Sequence, residues 1–431
     1  MGIREDAHRM KMLSPRAAAT SLEIRNQALE AMAEALRAHA KEIFAANARD
    51  LAAASDVGQA VLKRLKFDEG KLADVLEGIR QLIALPDPIG VHLLDRQLDV
   101  GLDLHRITVP IGVIGLIFEA RPDALVQISS LCIKSGNCAI LKGGRETAET
   151  NRALFQVIDA AVTAAGLPVG MLRLAEDHAE IDELLTCDRD VDLLIPRGSN
   201  SFVRYIMDHT KIPVMGHADG ICHIYVDRGA DQAEAISILL DAKTQYTAAC
   251  NAVETILVDR AIAEDFLPGL SAAMEEAGVL LRGDDEVRNC LAAAGGEDRR
   301  MRELTETGYA TEYLALCASV KLVDGVEEAC RHINRYGSHH TDCIVTEDDR
   351  AADYFLRMVD SAGVYRNCST RFADGFRYGF GAEVGISTSK IHARGPVGVE
   401  GLVTYKYQLI GHGQVVGDYA SGKSRFHFKD L

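Results

Sequence analysis

From Cys138 onward the chain alternates short apolar runs with longer amphipathic ones. Strand-length runs fall at 138–141, 171–174, 191–195, 212–215 and 223–226, and a helix-length stretch at 147–165 is closed by Gly166 and Pro168. Parallel strands can be joined only through a crossover, usually a helix, so this rhythm predicts a mostly parallel sheet covered by helices on both faces. The rhythm resumes between 227 and 385, with a helix expected over 231–245 and strands over 254–258, 319–323, 343–345 and 363–367. The fold class is therefore α/β, with two parallel-sheet segments.

The flanks read differently. Between 16 and 54 the apolar positions Ala17, Leu22, Ile24, Ala28, Leu29, Met32 and Leu36 recur at helical spacing, and Ser14-Pro15 just ahead predicts a helix start. The stretch 98–117 alternates and is rich in β-branched residues, which predicts a long β-hairpin turning at Gly101. A Gly-rich run over 372–385 separates the second α/β segment from a polar tail.

Composition narrows the partners. A chain of 431 residues, 48% hydrophobic and 26% charged, can bury a large core and suits two or three domains. A formal charge of −16 without a basic stripe excludes a nucleic-acid footprint. The best apolar run, 124–133, ends at Lys134, well short of the roughly 18 residues a membrane span needs. The N-terminal residues lack the apolar region of a signal peptide, and Asp6 stands where a myristoylation site requires Ser or Thr, so the expected location is cytoplasmic. Ten cysteines without paired spacing read as reduced thiols rather than a disulfide framework.

Cys250 stands out among them. A lone cysteine is by default a buried structural thiol. This one lies between a predicted helix and a predicted strand, in the small-residue run Thr247-Ala-Ala-Cys-Asn-Ala252, downstream of a nucleotide-binding layout. That setting points to thioester chemistry coupled to hydride transfer. Lys142-Gly-Gly-Arg145 follows a strand and opens a helix, so free amides and the helix dipole would face a phosphate or ribose; Pro196-Arg-Gly-Ser-Asn200 repeats the arrangement with Ser199 as a candidate N-cap. No strict Gly-x-Gly-x-x-Gly is present.

Two further patterns carry less. Gly417-Asp-Tyr-Ala-Ser-Gly-Lys-Ser424 fits the phosphate-loop pattern, but too little chain follows for the helix that would hold a phosphate. The run from Cys330 to Cys343 gathers His332, His339 and His340, but its spacing matches no common zinc motif, and it reads as a satisfied surface and edge cluster.

Together these segments resemble the aldehyde dehydrogenase superfamily and, more closely, its γ-glutamyl phosphate reductase branch. The carrying runs are Val109-Pro-Ile-Gly-Val-Ile-Gly-Leu-Ile-Phe-Glu-Ala-Arg-Pro122, Ser130 to Thr147, Leu194-Ile-Pro-Arg-Gly-Ser199, Gly220 to Asp227, Ala248-Ala-Cys-Asn-Ala-Val-Glu-Thr255, Ser369-Thr-Arg-Phe372 and His392-Ala-Arg-Gly-Pro396. The resemblance implies an aldehyde dehydrogenase-like fold of two parallel-sheet α/β domains plus a β-rich oligomerisation element. Its expected parts are an NADP(H)-binding domain (1–97 and 119–226), a catalytic domain (227–385), and a hairpin and C-terminal element (98–118 and 386–431).

It implies conversion of L-glutamate 5-phosphate and NADPH to glutamate 5-semialdehyde, NADP+ and phosphate, in proline biosynthesis. Cys250 would be the nucleophile. The Glu by which hydrolytic members activate water has no counterpart in Val214-Met-Gly-His-Ala-Asp-Gly220, as an enzyme preserving its thioester from water requires. A hydrolytic NAD(P)-dependent semialdehyde dehydrogenase is the alternative, and a non-catalytic scaffold a third reading. Lys142 and Gly144 would hold the adenosine ribose side, and Arg145, in the place of a Glu that repels a 2′-phosphate, favours NADPH. Gly198 and Ser199 match the turn beside the pyrophosphate, and Glu312 the residue that holds the nicotinamide ribose. Ala120 or Arg121 falls near the usual oxyanion-hole amide, leaving the Cys250 backbone amide and Asn251 as donors. Arg121, Ser369, Thr370 and Arg371 are the candidates for the substrate's carboxylate and phosphate. Thr247-Ala248 replaces the branch's usual Pro-Ser. A homodimer or tetramer is expected, with glutamate 5-kinase as a candidate partner and no metal.

Overall fold

The computed structural model describes residues 2–54, 62, 64–119, 121–177, 179–216, 219–295, 301–381 and 383–431. Two compact units emerge: residues 1–216, 380–385 and 397–431 form the first, and 217–379 with 386–396 the second.

The first unit is built on a four-stranded sheet with the spatial order Leu172–Ala175, Cys138–Gly143, Val113–Phe118, Leu193–Arg197. All its pairings are parallel. Val113–Phe118 and Cys138–Gly143 are buried throughout, the signature of strands covered on both faces. Helices Leu22–Ala38 and Glu69–Ala84 start at Ser21 and Asp68, whose side chains accept the amides of Ile24 and Lys71. The helix expected to begin at Ser14-Pro15 instead ends there: Pro15 lies inside Ile3–Ala18. Proline leaves the Lys11 carbonyl without its helical donor, and the Ser14 hydroxyl fills that role at 2.9 Å.

The hairpin comprises His92–Asp99 and Leu102–Pro110, turning at Gly101 with φ +72°. Val403–Ile410 pairs antiparallel with its second strand and Lys429–Asp430 with its first. The expected hairpin boundary at 118 is therefore corrected, since Val113–Phe118 belongs to the parallel sheet. The break falls at Gly112, whose φ is +132° and where a Cβ would sit 2.2 Å from Asp192 Oδ2. β-branched residues on both sides hide that break from a periodicity argument.

The second unit holds a seven-stranded sheet, ordered Met301–Glu303, Leu280–Gly283, Cys317–Val323, Val253–Asp259, Cys222–Val226, Thr341–Val345, Gly363–Arg366. Every pairing is parallel. Alternation along the strands divides the core into two faces. Ile224, Val226, Ile256 and Val258 pack under Gln232–Thr244 and Ala263–Glu276, while Tyr225, Leu257 and Ile344 face Gly325–Tyr336 and Asp349–Met358. Cys222–Val226 was expected to continue the first sheet; its ladders to Val253–Asp259 and Thr341–Val345 place it in the second. The strand expected at 212–215 is reduced to one bridge, Leu194 to Val214, because Pro213 removes a ladder donor. Among the described residues no helix is long and apolar enough to cross a membrane.

Candidate active site

Cys250 sits in the turn between Gln232–Thr244 and Val253–Asp259, closed by bonds from the Ala249 amide to Tyr246 and from the Ala252 amide to Ala249. Asp231 caps the helix by accepting the amides of Ala233 and Glu234, and the fully buried strand fixes the other end. The thiol is half-buried, and its Sγ lies 3.2 Å from Nε2 of His340. His340 is 1% exposed, and its Nδ1 is 2.9 Å from the Thr341 hydroxyl. The run 330–343 was expected to be a surface and edge cluster; His340 is instead buried against the candidate nucleophile.

The backbone around Cys250 is crowded. A Cβ on Gly220 would fall 2.1 Å from the Cys250 carbonyl oxygen and 2.4 Å from its Cα, so only glycine fits there. The Gly220 amide donates to Glu312 Oε1 at 2.9 Å, which brings Glu312 beside the same loop. Cys222 donates through Sγ to the Cys250 carbonyl at 3.3 Å, and burial pushes the Cys222 thiol well up.

Asn251 donates through Nδ2 to the Ala373 carbonyl at 2.8 Å, and its Oδ1 is buried without a partner. Asn251 thus ties the turn Thr370–Phe372 to the Cys250 loop. Ser369 caps that turn by accepting the Arg371 amide, while Thr370 is buried with its hydroxyl unpartnered. The Arg371 guanidinium donates to Gln245 Oε1 at 2.9 Å and stands over the Tyr246 ring. Its pKa is lowered, chiefly by burial and next by Arg377, while the field of Cys250 raises it. Cys250, Asn251, Glu312, Ser369, Thr370 and Arg371 therefore fall in one unit.

The remaining candidates lie in the first unit, at the carboxyl ends of its sheet. Strand order reverses at Val113–Phe118, and the crevice beyond such a switch point is where open α/β sheets take ligands. Lys142 stands one residue before the end of one neighbouring strand and Gly198-Ser199 follow the other, with Phe118 in register with both Gly143 and Arg197. Lys142 is 4% exposed, its ammonium 2.8 Å from the Gly143 carbonyl; burial lowers its pKa, opposed by Glu180, Glu146, Asp177 and Glu176. Gly143 has no room for a side chain, since a Cβ would meet Asn151 Nδ2 at 2.1 Å. Gly144 precedes the 3-10 turn Arg145–Thr147 that leads into Ala148–Ala164, and Arg145 is exposed. Ser199 stands at the N-cap of Asn200–Asp208 without a side-chain capping bond, and its amide donates to Glu119 Oε2 at 2.9 Å. Arg121 is exposed ahead of Pro122–Lys134. Ala120, His217 and Ala218 lie outside the described residues.

Sequence reasoning missed His340, Gly220 and Glu119. A tandem His339-His340 directly before a predicted strand was the available signal for the first. The other two follow from close approaches that spacing does not reveal. In the tail, Lys423 is paired with the Asp418 carboxylate and no helix follows Ser424, so the phosphate-loop pattern has no matching structure. Among the described residues, the one group of side chains converging as metal ligands do is His92, Asp95 and His105 on the hairpin, where both imidazoles bond the carboxylate.

Comparison with known proteins agrees with this layout. Residues 5–289 match the aldehyde dehydrogenase family. The chain is 54% identical over 428 residues to the gamma-glutamyl phosphate reductase of Ruminiclostridium cellulolyticum, covering 99% of this chain and 97% of that one. The crystal structure of gamma-glutamyl phosphate reductase from Thermotoga maritima matches with a TM-score of 0.92 at 34% identity, covering 96% of this chain and 100% of that one. At 16% identity an acetylating aldehyde dehydrogenase from Geobacillus thermoglucosidasius shares the fold, with a TM-score of 0.66 and 96% and 97% coverage. The chain belongs to the aldehyde dehydrogenase family and, within it, to the gamma-glutamyl phosphate reductases.

Proposed function

We propose that this protein reduces L-glutamate 5-phosphate to L-glutamate 5-semialdehyde with release of phosphate, through a thioester on Cys250, as a step of proline biosynthesis. The observation that carries the reading is the half-buried Cys250 thiol, held in a rigid turn beside a buried imidazole and a buried arginine, in a chain of this family. The Cys250 sulfur attacks the acyl carbon and phosphate leaves, converting one difficult displacement into two easier steps. Arg371 supplies a cation that ordinary pH does not discharge, suited to the substrate's phosphate or carboxylate, and Ser369 and Thr370 shape its turn. Asn251 acts by anchoring that turn, so the Cys250 backbone amide is the better oxyanion donor. Arg121 is assigned to substrate on the resemblance alone.

A nicotinamide cofactor supplies the hydride when bound, and the residues of the first unit fit one. Lys142 and the amides after Gly144 would hold ribose and phosphate, on a turn where Gly143 and Gly144 leave the backbone uncovered by side chains of their own. Gly198 and Ser199 suit the pyrophosphate once Glu119 releases the Ser199 amide. Glu312, anchored on Gly220, suits the nicotinamide ribose. Arg145, exposed beside that turn, favours NADPH over NADH by its charge. The protein is assigned to the cytoplasm as a homo-oligomer, a dimer or tetramer, with glutamate 5-kinase as the supplier of its unstable substrate.

The test is NADP+ reduction by the purified chain given glutamate 5-semialdehyde, with and without inorganic phosphate, and with Cys250→Ala as control. Strict phosphate dependence, abolished in the variant, supports the reading. Equal rates without phosphate mean that water resolves the thioester, and the hydrolytic semialdehyde dehydrogenase replaces it.

A further inference from the structure

We infer that His340 is the acid–base partner of Cys250: its Nε2 takes the thiol proton as Sγ attacks the acyl carbon and passes that proton to the departing phosphate oxygen. The inference deepens the acyl-phosphate reading and rests on it for the identity of the leaving group. In this step an S–C bond forms and the C–O bond to the phosphate breaks. The sulfur's proton ends on phosphate, which departs as hydrogen phosphate, and the imidazole returns to its neutral form. No atom changes oxidation state, so no further reactant is needed.

Three observations support it. The Nε2 to Sγ distance of 3.2 Å is contact distance for proton exchange between nitrogen and sulfur. The second ring nitrogen, Nδ1, lies 2.9 Å from the Thr341 hydroxyl, which can accept from Nδ1–H and so leave the Nε2 lone pair facing the thiol. The ring is also held in place. The carbonyls of His339 and His340 accept the amides of Ala362 and Gly363, and His339 takes the strained φ of +60° that turns the chain into strand Thr341–Val345. The nearby carboxylates are engaged elsewhere: Glu312 by the Gly220 amide and Glu254 by the Lys243 ammonium.

Among the described residues, charged and titratable groups bear on this pair from several elements. They are Arg371 on its turn, Cys222 and His223 on Cys222–Val226, Asp342 on Thr341–Val345, Glu254 on Val253–Asp259, and Glu312 through Gly220. Asp342 is taken up by His223 and Ser361, so its charge is compensated before it reaches His340. Arg371 favours the thiolate independently, so losing His340 weakens ionisation rather than abolishing it.

The test is the pH dependence of Cys250 alkylation by iodoacetamide in the full-length protein, followed by mass spectrometry of the Cys250 peptide without substrate or cofactor. In His340→Gln the profile should move to higher pH than in the wild type, and each pH unit it moves should slow alkylation on its rising limb about tenfold. Thr341→Val keeps the ring but removes its hydroxyl partner, and should move the profile the same way by less. Identical profiles in wild type and both variants overturn the inference. A loss of activity in His340→Gln with an unmoved profile means that the ring only packs the loop, and overturns it too. The alkylation readout needs no acyl phosphate, so it stands apart from a failure of the phosphate-dependence test.

Discussion

At the scale of single residues, the site is defined by how closely groups approach. Gly220 shows this best, because its missing side chain makes room for the Cys250 backbone rather than for a movable side chain. Gly220→Ala forces the Cys250 loop to shift, at an overpacking cost of about 1–3 kcal/mol. The expected outcome is at least a tenfold loss of kcat with a melting temperature lower by several degrees; unchanged kinetics would show that the loop tolerates the shift. Arg145 belongs to the same scale. Arg145→Glu restores the carboxylate that repels a 2′-phosphate, and the ratio of kcat/KM for NADPH over NADH should fall at least tenfold, with little change in stability because the side chain is exposed. A ratio that does not move would locate cofactor choice elsewhere. Cys250 was legible in the sequence because small residues surround it between a helix and a strand. His340 was not, because it lies 90 positions away and reaches the thiol only through the parallel register of Thr341–Val345 with Cys222–Val226.

At the scale of elements, the helix Gly325–Tyr336 offers a pH-dependent feature. His332 points from it into an aromatic group, with Tyr309 at 5.0 Å, Tyr336 at 4.6 Å and His223 at 5.5 Å between ring centroids. Burial pushes its pKa down to about 2, with a smaller contribution from His223, and its Nε2 is buried without a partner. The folded form therefore keeps His332 neutral where the unfolded chain protonates it. The contribution is present above the unfolded value of 6.5 and is lost as pH falls toward the folded value, at up to about 1.4 kcal/mol per pH unit. His332→Phe should flatten the fall in the urea midpoint between pH 7 and 5; an equally steep fall would assign the acid sensitivity to other groups. Most elements were legible in the sequence, since strand and helix periods differ and Gly and Pro mark the ends. Besides the strand at 212–215 and the sheet assignment of Cys222–Val226, two were misplaced for local reasons. Pro15 reads as a helix start but is tolerated near a helix end through Ser14, and the β-branched run across Gly112 conceals two strands of different sheets.

At the scale of the whole molecule, the strand Val403–Ile410 lies at the edge of its four-stranded sheet and exposes Tyr405, Tyr407 and Leu409 along one face. Such an edge is a template for pairing with a second copy, which is the basis for proposing a homo-oligomer. Replacing Tyr407 and Leu409 together with Lys should convert the sedimenting species to monomer while leaving the far-ultraviolet dichroism intact. A variant that still sediments as an oligomer would remove this edge as the interface. The same strand pairs with Leu102–Pro110, and Asn137 donates to the Leu402 carbonyl, so the last residues of the chain complete the first unit, whose sequence the second unit interrupts. During translation at roughly 5–20 residues per second, the roughly 300 residues separating Pro110 from Val403 take roughly 15–60 s to emerge. All seven strands of the second sheet, which end at Arg366, leave the ribosome before the hairpin meets its partner. The newborn chain thus completes the strands of the thiol-bearing unit first, while the first unit keeps a bare hairpin edge awaiting the C-terminus.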